Sequence, residues 1–198
     1  MIITTVAFRE PYVTHSANQM EKLKDFAVLH FTDALPYKEG VVKKGIVERF
    51  QKSLYGFKPH AIQRARDMGH KKVVWLDPSV LPVTGVQVLF DNLDDILVQT
   101  GRDNIRKMAN DKAINYFCRA DLDDVQHVGG TIYGFNFDNP KAVEVFDLWK
   151  KAEEDGIYGN QDEFMAGHWA DEACLALAMH KVGVAQKFPK FKFKNQKE

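Results

Sequence analysis

Apolar runs and amphipathic stretches alternate along the first part of the chain. Residues 2–8, IITTVAF, are apolar and β-branched, which predicts a buried first strand. A capping-box pattern and three apolar positions at helical spacing follow, namely Ser16, Gln19, Met20, Leu23 and Phe26. Residues 27–31, AVLHF, predict a second strand. A strand, helix, strand order needs a crossover and therefore favours a parallel sheet covered by helices.

A central strand is predicted near the middle of the chain. After an expected loop over 32–45, helical spacing resumes at Ile46, Val47, Phe50 and Leu54. A further helix is expected from Pro59 to Gly69. The continuous apolar run at 73–76 is typical of a strand buried on both faces.

Asp77 directly follows this apolar run. Pro78 holds Asp77 extended and ends ladder pairing. We therefore expect the Asp77 carboxylate at the edge of the sheet where open α/β folds bind ligands. The structural alternative is an Asp-Pro turn that merely ends the strand.

The pattern is less regular in the second half. A helix is predicted over 86–98 through Leu89, Leu93, Ile96 and Leu97, and 99–112 is left without an assignment. The remaining predicted elements are strands over 113–118 and 127–135, a helix from Asn139 and Pro140 to Gly156, and a helix within 168–181.

Composition narrows the class of protein. The chain has 198 residues, with 27 basic and 27 acidic side chains, so no overall field draws it to nucleic acid. We expect one domain over 1–186 and a basic tail over 187–198. Cys118 and Cys174 are isolated, which is typical of free thiols in a reducing compartment. With no secretory signal and no membrane span, we expect a soluble, cytoplasmic protein.

Two adjacent carboxylates stand at the start of the last predicted helix. Asp171 suits the N-cap and Glu172 the first turn, where free N–H groups and the helix dipole favour negative charge. Capping alone would explain both residues. A catalytic pair is the functional alternative.

Four segments resemble the GT-A glycosyltransferases, in particular the retaining blood-group-type galactosyl- and N-acetylgalactosaminyltransferases. They are TVAFREPY at 5–12, VVWLDPS at 73–79, HVGGTIYGF at 127–135 and WADE at 169–172. The resemblance implies an α/β fold: a single GT-A-like, Rossmann-like domain with a mixed, mostly parallel central sheet flanked by helices. It also implies a hexosyltransferase that uses a nucleotide-diphosphate sugar, expected to be a UDP-sugar.

The resemblance also assigns residues to the substrates. It implies that Ala7, Phe8 and Tyr12 bind the nucleotide base, and that Asp77 and Ser79 occupy the DxD position. The segments that resemble the acceptor side and the Trp-His-Asp-Glu motif contribute His127, Gly129, Gly130, Thr131 and Trp169. Glu172 would lie beside the anomeric carbon, and Asp171 would contact the donor sugar.

Two departures from the family pattern concern the metal and the leaving group. Ser79 stands where the DxD motif has its second acidic residue, and Ala170 replaces the histidine of Trp-His-Asp-Glu. Mn²⁺ or Mg²⁺ needs several hard oxygen ligands, so Asp77 makes a weak metal site and we expect little metal dependence. Cations must then offset the diphosphate charge, and the candidates are Lys58, Lys187 and Lys190.

The expected reaction is transfer of a hexose to a hydroxyl of a glycan or other acceptor, with retention. Glu172 would act as a transient nucleophile or stabilise a front-face displacement by its charge. An inverting transferase, in which one carboxylate is a base, and a non-catalytic nucleotide-sugar-binding module stay open as alternatives. A nucleotidyltransferase would need a glycine-rich basic loop after the first strand, and REPYVTH is not one.

Overall fold

The computed structural model describes residues 1–7, 11–32, 53, 55–117, 122–159, 162, 166–167 and 170–196. Its strands are β1 (Ile2–Ala7), β2 (Val28–Thr32), β3 (Lys72–Leu76), β4 (Val80–Pro82), β5 (Ile96–Asn104), β6 (Gln126–Asn136) and β7 (Phe193–Asn195). Its helices are α1 (Tyr12–Lys22), α2 (Phe57–Asp67), α3 (Gln87–Asp91), α4 (Asp111–Phe117), α5 (Pro140–Glu154) and α6 (Ala170–Val182), with a 3₁₀ turn at Ile105–Lys107. The predicted helix over Ile46 to Leu54, apart from residue 53, and the loop after residue 32 lie outside the described residues.

The main sheet of the described residues has five strands in the order β2-β1-β3-β6-β5. β1 pairs in parallel with β2 and β3, whereas β6 pairs antiparallel with both β3 and β5. Four of these strands therefore run in one direction, and the expected mixed, mostly parallel sheet is confirmed. The carboxyl ends of β1 and β3 meet at one edge, and the first half of β6 reaches that same edge.

Helices cover both faces of this sheet. On one face α2, α5 and α6 pack around aromatic side chains that include Trp75, Phe146 and Trp149. On the other face α1, α3 and β4 enclose a smaller cluster around Leu76 and Phe90. Both faces of β3 are therefore buried, as its continuous apolar run predicts.

Two predicted elements are wrong. The helix predicted over 86–98 ends at Asp91, and Ile96 begins β5, which pairs with β6. The strand predicted over 113–118 is instead helix α4, in which Ala113 and Phe117, one helical turn apart, face the core. In both cases a short apolar run fits the repeat of a strand as well as that of a helix, and packing against neighbouring elements decides which of the two forms.

Helix starts also differ from the capping predictions. α1 begins at Tyr12, so Ser16 lies inside the helix, where its hydroxyl donates to the Val13 carbonyl at 2.8 Å. α2 begins at Phe57, which places Pro59 in its first turn rather than at its first position. Proline is tolerated there because the first turn leaves its N–H groups without helical partners. Asn139 caps α5 as predicted, its side chain accepting from the Lys141 N–H at 2.9 Å.

The end of the chain packs against the fold. β7 pairs antiparallel with β4, and Phe191 is buried. Gln196 donates to the carbonyls of Pro78 and His15, each at 3.0 Å. These bonds tie the chain end to the turn that follows Asp77. Cys174 is a buried free thiol, whereas Cys118 lies outside the described residues. Within the described ranges, none of the helices has the length and apolar character to cross a bilayer.

Candidate active site

The candidate site lies at the sheet edge where β1 and β3 end. The Asp77 N–H donates to the Thr131 carbonyl at 2.8 Å, so β3 and β6 are still joined at this point. β6 then bulges away from β5. Val98 lies opposite Tyr133 but Gln99 lies opposite Gly129, so residues 130–132 have no residue paired with them in the ladder to β5. Bulges re-aim side chains beside active sites, and this one turns Gly130 toward α6.

Asp171 is the second residue of α6 and does not cap it, so the N-cap prediction is wrong. Its side chain turns inward and is only 2% exposed. Asp171 Oδ2 accepts from the Lys58 ammonium at 2.7 Å and from the Tyr133 hydroxyl at 2.8 Å. The Asp171 carbonyl accepts from the Trp149 indole N–H at 2.8 Å. Together these bonds fix the first turn of α6 against the sheet.

Lys58 is buried among the groups that it joins. Its ammonium also donates to the Gly130 carbonyl at 3.0 Å and lies 4.9 Å from the centre of the Tyr55 ring. Burial disfavours its charged form, but the nearby carboxylates, Asp171 above all, outweigh burial and raise the pKa of Lys58 above its usual value. Lys58 is therefore a fixed cation at neutral pH that links α2, β6 and α6.

Burial dominates the ionisation of Asp171. It raises the pKa of Asp171 to about 6, against the opposing effect of Lys58. Burial and the Asp171 carboxylate also hold the pKa of Tyr133 well above its usual range, so the Tyr133 hydroxyl keeps its proton and remains a donor. The carboxylate form of Asp171 is thus held by two donors in an apolar setting.

Glu172 is the more exposed of the two carboxylates. Its side chain is 15% exposed, and its Oε2 lies 3.0 Å from Nε2 of the buried His127. A Cβ on Gly130 would overlap the Glu172 carboxylate. Glycine at position 130 is therefore what allows Glu172 to lie directly against the β6 backbone, beside the Lys58 and Asp171 pair.

Asp77 and Ser79 form a tight turn after β3. Asp77 Oδ1 accepts from the Ser79 N–H at 2.9 Å and from its hydroxyl at 2.5 Å, an Asx-turn arrangement. The buried Gln19 of α1 donates to the carbonyls of Asp77 and Val80, each at 2.8 Å. One carboxylate oxygen of Asp77 is therefore already engaged within the turn.

These groups do not fit a Mn²⁺ or Mg²⁺ site built by the protein alone. Such ions need several hard oxygen ligands, and here one carboxylate stands beside a buried hydroxyl. In the part of the chain that the structure describes, no three His, Cys, Asp or Glu side chains are grouped to hold a metal ion.

The acceptor-side candidates of β6 lie together at the bulge. His127 and Gly130 contact Glu172, and the Thr131 hydroxyl donates to Gln99 Oε1 on β5 at 2.5 Å. A Cβ on Gly129 would lie 3.4 Å from the Gln99 Cβ, an ordinary contact. Trp169 lies outside the described residues.

The nucleotide-side candidates lie at the end of β1 and the start of α1. Ala7 is buried and pairs with Thr32, and the half-buried Tyr12 packs its ring edge-on against His15, with centres 6.1 Å apart. Phe8 lies outside the described residues.

Among the described residues, no contact places Lys187 or Lys190 of the tail at the candidate site. Lys187 is exposed and its ammonium lies 3.2 Å from Asp95 Oδ2, beside β5. Lys190 is exposed in the segment before β7. Lys190 stays a prediction as a partner of a diphosphate, whereas the pair with Asp95 places the Lys187 ammonium at the amino end of β5, away from the edge where Asp77 lies.

Solved glycosyltransferase structures share this architecture. The galactosyltransferase LgtC, in complex with donor and acceptor sugar analogues, has a TM-score of 0.51 and 14% identity over 94% of this chain and 73% of that chain. Mouse xyloside xylosyltransferase 1 has a TM-score of 0.53 and 11% identity over 96% of this chain and 85% of that one. The chain has a GT-A glycosyltransferase fold.

The same fold also occurs within a larger protein. The bifunctional glycosyltransferase WbbM has a TM-score of 0.52 and 10% identity over 96% of this chain and 38% of that chain. No protein-family model matches the sequence, and no curated protein is similar enough to match. At these identities the likeness concerns the fold, so the chemistry of this GT-A chain is argued from its own residues.

Some site residues carried no motif in the sequence. Gln99 falls in the stretch for which periodicity predicts nothing. Tyr133 lies in the segment that resembles the acceptor-side strand, but nothing in that segment indicates its bond to Asp171. Lys58 is identified as a candidate cation for the diphosphate, whereas the structure pairs it with Asp171. Its position just before a proline at a helix start gives no indication of that partner, which lies 113 residues further along the chain.

Proposed function

We propose that this protein is a glycosyltransferase that moves a hexose from a UDP-sugar to an acceptor hydroxyl, with retention and without a required divalent cation. The observation that carries the proposal is the placement of Glu172. Its carboxylate is held against the Gly130 backbone at the ligand-binding edge of a GT-A sheet, beside the buried pair of Lys58 and Asp171.

Glu172 is suited to stabilise a sugar that develops positive charge. It is partly exposed, lies in the first turn of α6, and its neighbour Asp171 is neutralised by Lys58. In this proposal Glu172 faces the anomeric carbon, either as a transient nucleophile or as the charge that stabilises a front-face displacement. Both routes give retention.

In this proposal the main role of Asp171 is to hold Glu172 and the donor sugar in position. Its Oδ2 is taken by Lys58 and Tyr133, so a sugar hydroxyl can reach only the other oxygen. The same burial argues against Asp171 as the base of an inverting reaction, because a base must reach the acceptor hydroxyl.

The donor is proposed to lie along the sheet edge. The base packs near Tyr12 at the end of β1, with Ala7 and Phe8 beside it, and hydroxyls of the donor reach Asp77 at the end of β3. The diphosphate is neutralised by cations rather than by a metal, with Lys190 as the candidate, because Lys187 pairs with Asp95 at the amino end of β5, away from the edge where Asp77 lies. Support for this placement is the order of β1, β3 and β6 along one edge.

A panel of nucleotide sugars tests the proposal. UDP-galactose, UDP-glucose, UDP-N-acetylgalactosamine and GDP-mannose are incubated with the protein, and released nucleoside diphosphate is measured for the wild type and for Glu172→Gln. Hydrolysis of a UDP-sugar that is lost in Glu172→Gln, with UDP affinity retained, supports it.

Two other outcomes are informative. UDP binding without hydrolysis of any donor would favour the non-catalytic nucleotide-sugar-binding module, for which the incomplete DxD motif is the argument. Absence of UDP binding would overturn the proposal.

A further inference from the structure

Gln99 lies at the acceptor end of the proposed site. It is the first residue of β5 after the interruption in pairing with β6, and its side chain is half-buried. Along the sheet edge the order is β1, β3, β6, β5, so Gln99 is two strands beyond Asp77, about 10 Å away at ordinary strand spacing. If the nucleotide lies over β1 and β3 and the donor sugar faces Glu172 beside β6, β5 is on the far side of the sugar.

The amide of Gln99 is held in one orientation. The Thr131 hydroxyl donates to Gln99 Oε1 at 2.5 Å, so the amide oxygen is engaged, and among the described residues the two N–H donors of Nε2 are left for a ligand. Gly129 lies directly opposite Gln99 and has no side chain to cover it. A side chain at 129 would lie against that of Gln99, because a Cβ there would be 3.4 Å from the Gln99 Cβ.

We propose that Gln99 recognises the acceptor, donating a hydrogen bond from Nε2 to an acceptor hydroxyl oxygen next to the one that reacts. This inference rests on the proposed function and names a residue that no sequence motif indicates. An amide cannot take the proton of the acceptor hydroxyl, so its role is positioning and specificity. A site built to bond a hydroxyl rejects acceptors that lack it, because the donor is then left without a partner.

The test separates reaction with water from reaction with an acceptor. UDP affinity, donor hydrolysis and transfer to phenyl β-galactoside, phenyl β-glucoside and lactose are measured for the wild type, Gln99→Leu and Thr131→Val. We expect kcat/KM for the acceptor to fall at least tenfold in Gln99→Leu, with donor hydrolysis and UDP affinity within about twofold of the wild type. Thr131→Val should give a smaller loss of the same kind, and Thr131→Ser should restore transfer.

Gln87→Leu is the matched control. Gln87 is exposed on α3, where its Nε2 donates to Asp91 Oδ1 of the same helix at 2.8 Å. The same change of side chain there should leave both reactions unchanged. A melting temperature for each variant shows whether a loss reflects folding.

Three results would overturn the assignment of Gln99. The first is an equal loss of hydrolysis and transfer in Gln99→Leu, which would indicate a role in sheet structure alone. The second is undiminished transfer by that variant. The third is a wild type that hydrolyses a donor but transfers to none of the three acceptors. A wild type that neither binds nor hydrolyses any donor fails at the proposed function itself, which distinguishes the two failures.

Discussion

Lys58 and Asp171 form a buried ion pair, with Nζ 2.7 Å from Oδ2 and side chains only 3% and 2% exposed. The pair joins α2 to the first turn of α6, and the Gly130 carbonyl accepts a further bond from the same ammonium. Removing one member of a buried pair leaves an uncompensated charge in an apolar setting. Glu172 depends on this arrangement for its position, because it follows Asp171 directly.

We expect Lys58→Met to lower the free energy of unfolding by about 3–5 kcal/mol, because Asp171 would remain buried without its cation. Urea denaturation measures the loss. Lys71→Met is the control, since Lys71 pairs with Asp138 on the surface and an exposed pair contributes at most about 1 kcal/mol. The double variant Lys58→Met with Asp171→Asn should be more stable than Lys58→Met alone, and a less stable double variant would contradict this account.

Glu172→Gln should reduce turnover at least a hundredfold while leaving UDP affinity near that of the wild type. We propose that the negative charge of Glu172 attracts the sugar more strongly as the sugar becomes cationic. Glutamine lacks that charge, and the expected hundredfold fall is equivalent to a loss of about 3 kcal/mol of transition-state stabilisation. If Glu172 served only the helix start, the change would cost at most about 1 kcal/mol of stability and turnover would barely move. Turnover, UDP affinity and melting temperature, measured on one preparation of Glu172→Gln, distinguish the catalytic role from a role at the helix start.

Gly130→Ala should reduce donor hydrolysis far more than Gly129→Ala does. At position 130 a Cβ overlaps the end of the Glu172 side chain, which must move away from its place beside the backbone. At position 129 the nearest atom to a new Cβ is 3.4 Å away, so the neighbouring glycine is a close control. Similar rates for the two variants, with similar melting temperatures, would show that the position of Glu172 does not matter to the reaction.

The rate of donor hydrolysis should fall on the acid side of about pH 6. Burial raises the pKa of Asp171 to about 6, and its protonation below that pH weakens the pair with Lys58 that positions Glu172. The expected measurement is kcat/KM from pH 5 to 8, which reports ionisations of the free enzyme. A flat profile over that range would contradict the role given to Asp171.

Unfolding should not explain the expected fall in hydrolysis rate below about pH 6. Because the folded pKa of Asp171 lies above its ordinary 3.8, its favourable contribution to unfolding free energy is fully present below pH 3.8 and is lost as pH rises through about 6. This group therefore stabilises the fold in acid, where the rate is expected to fall. Melting temperatures across the same pH range show whether the rate falls without a loss of stability.

Chelation should leave most of the activity in place. Asp77 is one carboxylate beside the buried Ser79, and its Oδ1 already accepts two bonds within the turn. We expect the hydrolysis rate in EDTA to stay within about threefold of the untreated rate, because the site lacks the several hard oxygen ligands that Mn²⁺ and Mg²⁺ need. Complete loss on chelation, restored by Mn²⁺, would show that Asp77 binds a metal together with groups outside this turn.

The local sequence pattern was sufficient to predict an element where the residues of that element and its immediate neighbours determine whether it is a strand or a helix. The apolar run at 73–76 is a central strand, Asp77 ends it, and Asn139 and Pro140 begin a helix, because burial and capping at these positions depend on neighbours in sequence. The order of strands and helices then restricts the chain to an α/β sheet with helices on both faces.

Tertiary structure alone decided what contacts the two carboxylates. The sequence predicts Asp171 and Glu172 as a pair of candidate site residues, but a position at a helix start does not tell which carboxylate turns inward to Lys58 and which stays partly exposed. Gly130 needs to be glycine only because α6 brings Glu172 against it, and Gln99 belongs to the site only because β6 bulges beside it. The same holds for 113–118, whose apolar residues fit either period until α6 supplies the surface on which α4 packs as a helix. Contacts between residues far apart in sequence are set by packing, and periodicity carries no information about them.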